Sequence, residues 1–359
     1  MLNIQFLFEQ IQSDIVDALE KGDLLPGAKL PSENAYASKN GVSRFTVRKA
    51  YGVLEEKGIL FRRKGSGSYV ADTALDRVYE ILRRKKYRIA VVLPEMNEQF
   101  FPLVRQGIHD AMMRYNCSSE QFRNLTKRNE SEIINRIVEE KFDGVLFSPN
   151  RFRDSYGYKT FEKIERHGIP VTMIGKPPVN FFCDAVYYDD IHGAFGAVKD
   201  FYYYKYATVA HITNSAGDIQ SVNERKEGYI LGMEKYFPGV NPKIFDTEAW
   251  DFDAALLSWL KTVPLRIGVF LYDDTILKRV YPIFLESGRS IPKSLAVLGY
   301  NNYEEICNSF PIKFSSVHVP KIILGRRAFE LLYKKMTNKA LTEVRHILLN
   351  PNIIHRNSF

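Results

Sequence analysis

With 359 residues, 45% of them hydrophobic and 26% charged, the chain is long enough for two or three packed domains and has the balance of an ordinary globular protein. No apolar run approaches the roughly 20 residues that span a bilayer, and Cys117, Cys183 and Cys307 are odd in number and far apart, which excludes a disulfide framework or a thiolate metal site. The formal net charge is +8, and residues 1–88 hold 16 Lys/Arg against 11 Asp/Glu, so the excess lies at the N-terminal end, where it suits a polyanionic partner.

Ile4, Phe8, Ile11, Ile15 and Leu19 recur at helical spacing and predict an amphipathic helix over residues 4–21, ended by Gly22 and Pro26-Gly27. Glu9, Asp14, Asp17 and Glu20 stand in this stretch with no early basic residue, so a secretory signal is not expected and the cytoplasm is. Ser32 is placed to cap a short second helix ending near Lys39, and Asn40-Gly41 to turn the chain. Ser43 is then the expected cap of a third helix. In it Val47, Ala50, Tyr51 and Leu54 form a stripe for burial, while Arg44 and Arg48, one turn apart, share another face with Thr46 and Lys49 beside them. Ile59-Leu60-Phe61, Arg62-Arg63-Lys64, Gly65-Ser66-Gly67-Ser68 and Tyr69-Val70 read as a hairpin with a basic, glycine-rich tip. Such a helix fits a major groove and such a tip a minor groove. The plainer alternative is a solvated helix followed by an ordinary hairpin.

Residues 72–88 are charged, with Arg83-Arg84-Lys85-Lys86 among them, and read as a linker that is helical at its start. From Tyr87 the pattern alternates. Strands are expected at 89–93, 144–147, 169–174, 207–212, 266–271 and 294–298, and helices at 99–115, 190–203, 219–236, 273–287 and 320–336. This predicts an α/β region of parallel sheets covered on both faces, long enough for two subdomains.

Two resemblances follow from particular residues. Gly27, Leu30-Pro31-Ser32-Glu33, Val42-Ser43-Arg44, Thr46-Val47-Arg48, Leu54, Gly58 and Gly65-x-Gly67-x-Tyr69-Val70 resemble the winged helix-turn-helix of GntR-type bacterial transcription regulators across residues 4–71. The resemblance implies that Arg44, Thr46 and Arg48 contact operator DNA and that Gly65 and Gly67 form the wing tip. Ser32, Ser43, Lys49, Arg63 and Lys64 complete the candidate DNA-facing set. Asn34 departs from the pattern, since that family often places a DNA-touching Arg there. Further on, Pro94 with Phe100-Phe101 and Val104-x-x-Gly107 resembles the ligand-binding domain of LacI-type regulators and their periplasmic sugar-binding relatives. So do Asp143-Gly-Val-Leu-Phe147, Gly168-Ile-Pro-Val171, Asp189-Asp190 with Gly193, and Glu224-Arg225-x-x-Gly228-Tyr229. Asp273-Asp274, Leu298-Gly299-Tyr300-Asn301-Asn302 and Leu324-Gly325-x-x-Ala328 continue the series. Around residues 117–130 the usual second strand is hard to see. The implied layout is a winged helix-turn-helix domain at 1–71, a linker at 72–86 and a two-lobed sugar-binding domain at 87–359.

In open α/β sheets a ligand lies at the carboxyl ends of the strands. Arg225, Asp273 and Asn301 fall just after strands or at helix starts, and their chemistry suits sugar hydroxyls. By resemblance these are effector contacts, with the family's common Asn at 273 and Asp at 301 exchanged. Each has a structural alternative: a salt bridge of Arg225 with Glu224 or Glu227, an Asp273 helix cap worth about 1 kcal/mol, or turn chemistry at Asn301. Phe100 or Phe101 would cover a sugar's apolar face or pack in the core, and Lys176 and Asp190 are further candidates. No nucleophile–base order, metal cluster or phosphate loop appears, and adjacent carboxylates such as Asp189-Asp190 do not flank a substrate from two sides. The expectation is therefore a regulator rather than an enzyme, with no cofactor. It would bind operator DNA as a homodimer, away from membranes, and repress until a monosaccharide releases it. A purine, another metabolite or a protein partner is the alternative effector.

Overall fold

The structure, a computed structural model, describes residues 4–83, 87–94, 99–115, 117–124, 127–148, 158–177, 181–216, 219–338 and 341–359. Packing divides the chain into two units, Met1–Lys86 and Tyr87–Phe359. The first contains α1 (Ile4–Glu20), α2 (Glu33–Asn40), α3 (Arg44–Glu56), the antiparallel pair β1 (Leu60–Arg63) and β2 (Gly67–Val70), and α4 (Ala74–Arg83). Ile11, Ile15 and Leu19 of α1 meet Val47, Ala50, Tyr51 and Leu54 of α3 in one core, as the stripe predicts. The segment expected as a linker enters that core as well, because Ala74 and Val78 of α4 are buried in it. The basic residues 84–86 lie outside the described residues.

The second unit runs β3 (Tyr87–Pro94), α5 (Phe101–Met112), β4 (Cys117–Asn124), α6 (Lys127–Glu139), β5 (Gly144–Phe147), α7 (Tyr158–Arg166), β6 (Val171–Ile174) and β7 (Asp184–Tyr188). It continues through α8 (Asp190–Tyr203), β8 (Thr208–Thr213), α9 (Gln220–Tyr236), β9 (Lys243–Asp246), α10 (Phe252–Thr262), β10 (Ile267–Leu271), a 3-10 turn (Asp274–Ile276) and α11 (Leu277–Glu286). The chain ends with β11 (Leu295–Asn301), α12 (Glu304–Cys307), β12 (Ser315–His318), α13 (Lys321–Thr337), β13 (His346–Leu349) and β14 (Asn352–Ile354). One sheet has the order β13-β7-β6-β5-β3-β4 and is parallel throughout; the other has the order β14-β12-β11-β10-β8-β9 and is parallel except at β14. Their central strands are apolar on both faces, which is why they read as continuous hydrophobic runs.

The chain passes between the sheets after Tyr188, after His318 and after Leu349, so each sheet heads its own lobe. Close helix approach at these passages depends on glycine. A Cβ on Gly107 of α5 would strike the Ile322 carbonyl of α13, and one on Gly325 of α13 would strike the Val104 carbonyl of α5.

The strand that is hard to see in the sequence is β4. It pairs with β3 at the sheet edge, and Phe122 is its one buried side chain among the described residues. The same face carries Glu120, two residues before Phe122, which with Glu140 is bridged by Arg88 and Arg136. An edge strand of this kind lacks the apolar run that marks the central strands. Among the described residues no helix is long and apolar enough to cross a membrane.

Candidate functional site

Two constellations concern function, one in each unit. In the head, the Ser43 hydroxyl accepts a hydrogen bond from the Thr46 amide at 3.1 Å and so caps α3, while Ser32 does the same for α2 through Ala35 at 3.1 Å. Gly41 takes the left-handed conformation (φ 64°) that closes α2 and turns the chain into α3. Arg44, Arg48 and Lys49 all stand on the exposed face of α3. Glu33, at the start of α2, gathers the arginines: Arg44 Nε lies 3.1 Å and Arg48 Nε 3.2 Å from Oε2, and Arg62 Nη2 from β1 lies 3.5 Å from Oε1. Burial works to raise the Glu33 carboxyl, but hydrogen bonds and charge from Arg44 and Arg48 hold it below the usual carboxylate range. The wing tip is exposed from Arg62 to Gly67, with Arg63 over the stacked rings of Phe61 and Tyr69, and with Gly65 and Gly67 at φ 76° and 117°.

One candidate is corrected. Thr46 is 2% exposed, and its hydroxyl lies 2.7 Å from that of Ser43. It faces the core beside the stripe and completes the cap, so it is not part of the exposed surface. Arg62, absent from the candidates, joins Arg44 and Arg48 through Glu33.

In the second unit, Arg225, Asp190, Asp273 and Asn301 form one buried cluster, none more than 8% exposed. Arg225 Nε donates to Asp190 Oδ1 at 2.8 Å, Nη1 donates to the Tyr272 carbonyl at 2.7 Å, and Nη2 lies 3.5 Å from Asn301 Oδ1. Its guanidinium sits 3.9 Å from the centre of the Tyr300 ring. Burial opposes this charge, yet the Asp190 carboxylate beside it keeps the guanidinium firmly protonated. Asn301, at φ 91° on the end of β11, donates from Nδ2 to Asp273 Oδ2 at 2.6 Å. The other oxygen of Asp273 accepts from the Thr275 amide and hydroxyl at 2.8 and 2.5 Å, so Asp273 also caps the 3-10 turn. Asp190 and the Tyr272 carbonyl, rather than Glu224 or Glu227, hold Arg225. Glu224 instead pairs with Lys176 at 2.6 Å, tying the segment after β6 in one lobe to α9 in the other.

Three further groups are buried here; Lys321 and Tyr188 had no distinguishing mark in the sequence, whereas Asp274 belongs to the Asp273-Asp274 pair. Lys321, at the start of α13, donates to the Asn301 carbonyl and lies 3.5 Å from that of Val319. Burial pulls its amine down to about 8. Asp274 accepts from the Tyr303 amide at 2.9 Å and from the Ser316 hydroxyl at 2.8 Å, and burial, with Asp273 next to it, pushes its carboxyl up to about 7. A Cβ on Gly299 would collide with Asp274 Oδ1, so that glycine makes room for the carboxylate. The Tyr188 hydroxyl, buried near Asp190 and Tyr303, has no hydrogen-bond partner among the described residues. A cavity of about 600 Å³ adjoins the cluster at Asn302, Tyr303 and Lys321, with Gln99 and Pro102 on its other side. Phe100 and Phe101 are half-buried, meet edge to face at 5.2 Å and pack on the core, Phe100 also approaching Tyr188 at 6.3 Å. Among the described residues no group of His, Cys, Asp and Glu is arranged to hold a metal ion.

Residues 7–70 match the family described as bacterial regulatory proteins, gntR family, and residues 198–359 match the periplasmic binding protein-like domain. The chain is 23% identical over 365 residues to the arabinose metabolism transcriptional repressor of Halalkalibacterium halodurans, covering 98% of this chain and 95% of that protein. It is 23% identical to the repressor of the same name from Geobacillus stearothermophilus, covering 97% and 96%. A LacI family transcriptional regulator from Enterococcus faecium, solved with bound ribose, superposes with a TM-score of 0.61 at 21% identity, covering 76% of this chain and 98% of that one, which establishes the shared fold. The chain is a DNA-binding transcription regulator, not an enzyme, with a GntR-type helix-turn-helix head joined to a periplasmic-binding-protein-like ligand-binding domain.

Proposed function

We propose that the protein is a repressor whose hold on its operator is released by a small sugar bound between the two lobes. The observation that carries this reading is the Arg225–Asp190–Asp273–Asn301 cluster. Four polar side chains from separate segments converge where the chain passes between the sheets, with donors and acceptors matched to adjacent hydroxyls. Arg225, Asp273 and Asn301 would exchange part of their mutual bonding for the sugar, Asp190 would keep Arg225 oriented, and Phe100 or Phe101 would lie against the apolar face of the ring. Lys176, bonded to Glu224 across the lobes, would report closure. On the DNA side, Arg44, Arg48 and Lys49 would enter the major groove, Ser32 and Ser43 would approach the backbone, and Arg63, Lys64, Gly65 and Gly67 would take the wing into the minor groove. A homodimer would place two heads on a two-fold operator. Hinge closure of the lobes would change their spacing, and the effect on operator affinity equals the sugar's differential affinity for the two states. The relatives described as arabinose metabolism repressors and the neighbour with bound ribose support a sugar as the effector class.

The test is binding of the purified protein to the DNA upstream of its own gene, at fixed salt, titrated with pentoses, hexoses and purines. The reading expects one sugar to weaken operator binding tenfold or more. Tight operator binding that no sugar alters would sink it, and a response to a purine would move the effector to another class.

A further inference from the structure

The apolar residues of α3 divide sharply. Val47, Ala50, Tyr51 and Leu54 are at most 1% exposed, whereas Phe45 is 70% exposed. Leu54 comes about two and a half turns after Phe45, so Phe45 stands on the side opposite the buried stripe, at the middle of the solvent face. Arg44, Arg48 and Lys49 surround it, each exposed. A phenyl ring held out among cations loses contact with water only if something covers it, and the cations select a polyanion as that cover. About two turns further along the same face is Gly52. Its backbone needs no left-handed conformation, and a Cβ there would meet nothing within 4 Å. Glycine inside a helix destabilises it relative to alanine, so neither packing nor conformation accounts for this residue. A bare backbone at that point lets the helix lie close against a large partner. Ring and glycine together describe a helix whose first turn projects into a groove and whose later turns sit near the groove wall.

In the major groove the one apolar group on a base edge is the C5-methyl of thymine. We propose that Phe45 reads a thymine in each operator half-site by covering that methyl group, making it a specificity-determining residue beside the arginines. This rests on the operator-binding reading of the head. Arginine at Arg44 or Arg48 recognises guanine edges or phosphates, and neither distinguishes thymine from uracil; Phe45 supplies that distinction.

The experiment uses the full chain and the DNA upstream of its gene, prepared once with thymine and once with deoxyuracil in its place, then with single replacements across the protected site. The wild-type protein is expected to bind the deoxyuracil duplex about fourfold more weakly per half-site, the loss that follows from exposing one methyl group. Phe45→Ser is expected to bind the thymine duplex weakly and to treat both duplexes alike, and Phe45→Leu to keep most of the discrimination. Thermal unfolding of the three proteins should agree, since the ring is largely exposed. Equal binding of both duplexes by the wild type, or discrimination retained by Phe45→Ser, would overturn the proposal. If the wild type shows no preference for this DNA over a random duplex, the operator-binding reading falls, and the inference with it.

Discussion

The exposed face of α3 in the head and the buried cluster of the second unit both pair arginine with carboxylate, yet the pairs differ in kind. Around Glu33, the side chains of Arg44, Arg48 and Arg62 are about half exposed. Such pairs contribute about 0–1 kcal/mol and are screened by salt, so the arginines are free to exchange a carboxylate for phosphate or guanine. Arg225 and Asp190 have side chains only 6% and 7% exposed. Their desolvation is already offset by mutual bonding, and removing either leaves a buried charge without a partner. Exposed pairs make a surface that adapts to a polymer; buried pairs make a site that admits only a ligand able to replace the bonds it breaks.

The largest consequence of this contrast is for Arg225→Ala, which should cost about 3–5 kcal/mol and lower the thermal midpoint of the second unit by roughly 6–15 °C. Adding Asp190→Asn should recover part of that loss. A midpoint unchanged by Arg225→Ala would show that the pair is not buried in solution. Next is Asp274, whose carboxyl is raised from 3.8 to about 7 by burial. A carboxyl that holds its proton better folded than unfolded contributes stability below its unfolded value and loses it as pH rises through the folded value. Between pH 5 and 8 the wild type should therefore lose about 1–3 kcal/mol relative to Asp274→Asn. Parallel melting curves of the two proteins across that range would refute it.

On the head, Arg44→Ala and Arg48→Ala should each weaken operator binding by about 1–3 kcal/mol, while folding stability stays within about 0.5 kcal/mol of wild type. Binding titrations beside melts would separate the two effects, and a large stability loss would mean that these arginines are structural after all. The smallest change is expected for Lys176→Met. Its bridge to Glu224 is partly exposed, so the melt should move by less than about 1 kcal/mol. Any larger effect should appear in the sugar concentration that half-releases the operator, because the bridge joins the two lobes.

Local chemistry accounts for much of what could be read in advance. The stripe Val47, Ala50, Tyr51 and Leu54, the caps Ser32 and Ser43, and the glycines of the wing tip involve residues within a turn or two of one another, so periodicity and backbone preference were enough to place them. The central strands were equally plain, since burial on both faces makes them continuously apolar. The long-range arrangement had no such local mark. Glu33 gathers arginines from α3 and β1, and Asp190 meets Arg225 across the interface of α8 and α9. Lys321 looks like any lysine at a helix start until the passage after β12 brings its amine to the Asn301 carbonyl. Edge strand β4 was obscured because the face that buries Phe122 also carries Glu120, paired with arginines of other elements. In each case the partner is distant along the chain, and the pairing depends on how the tertiary fold returns the backbone, which no local pattern encodes.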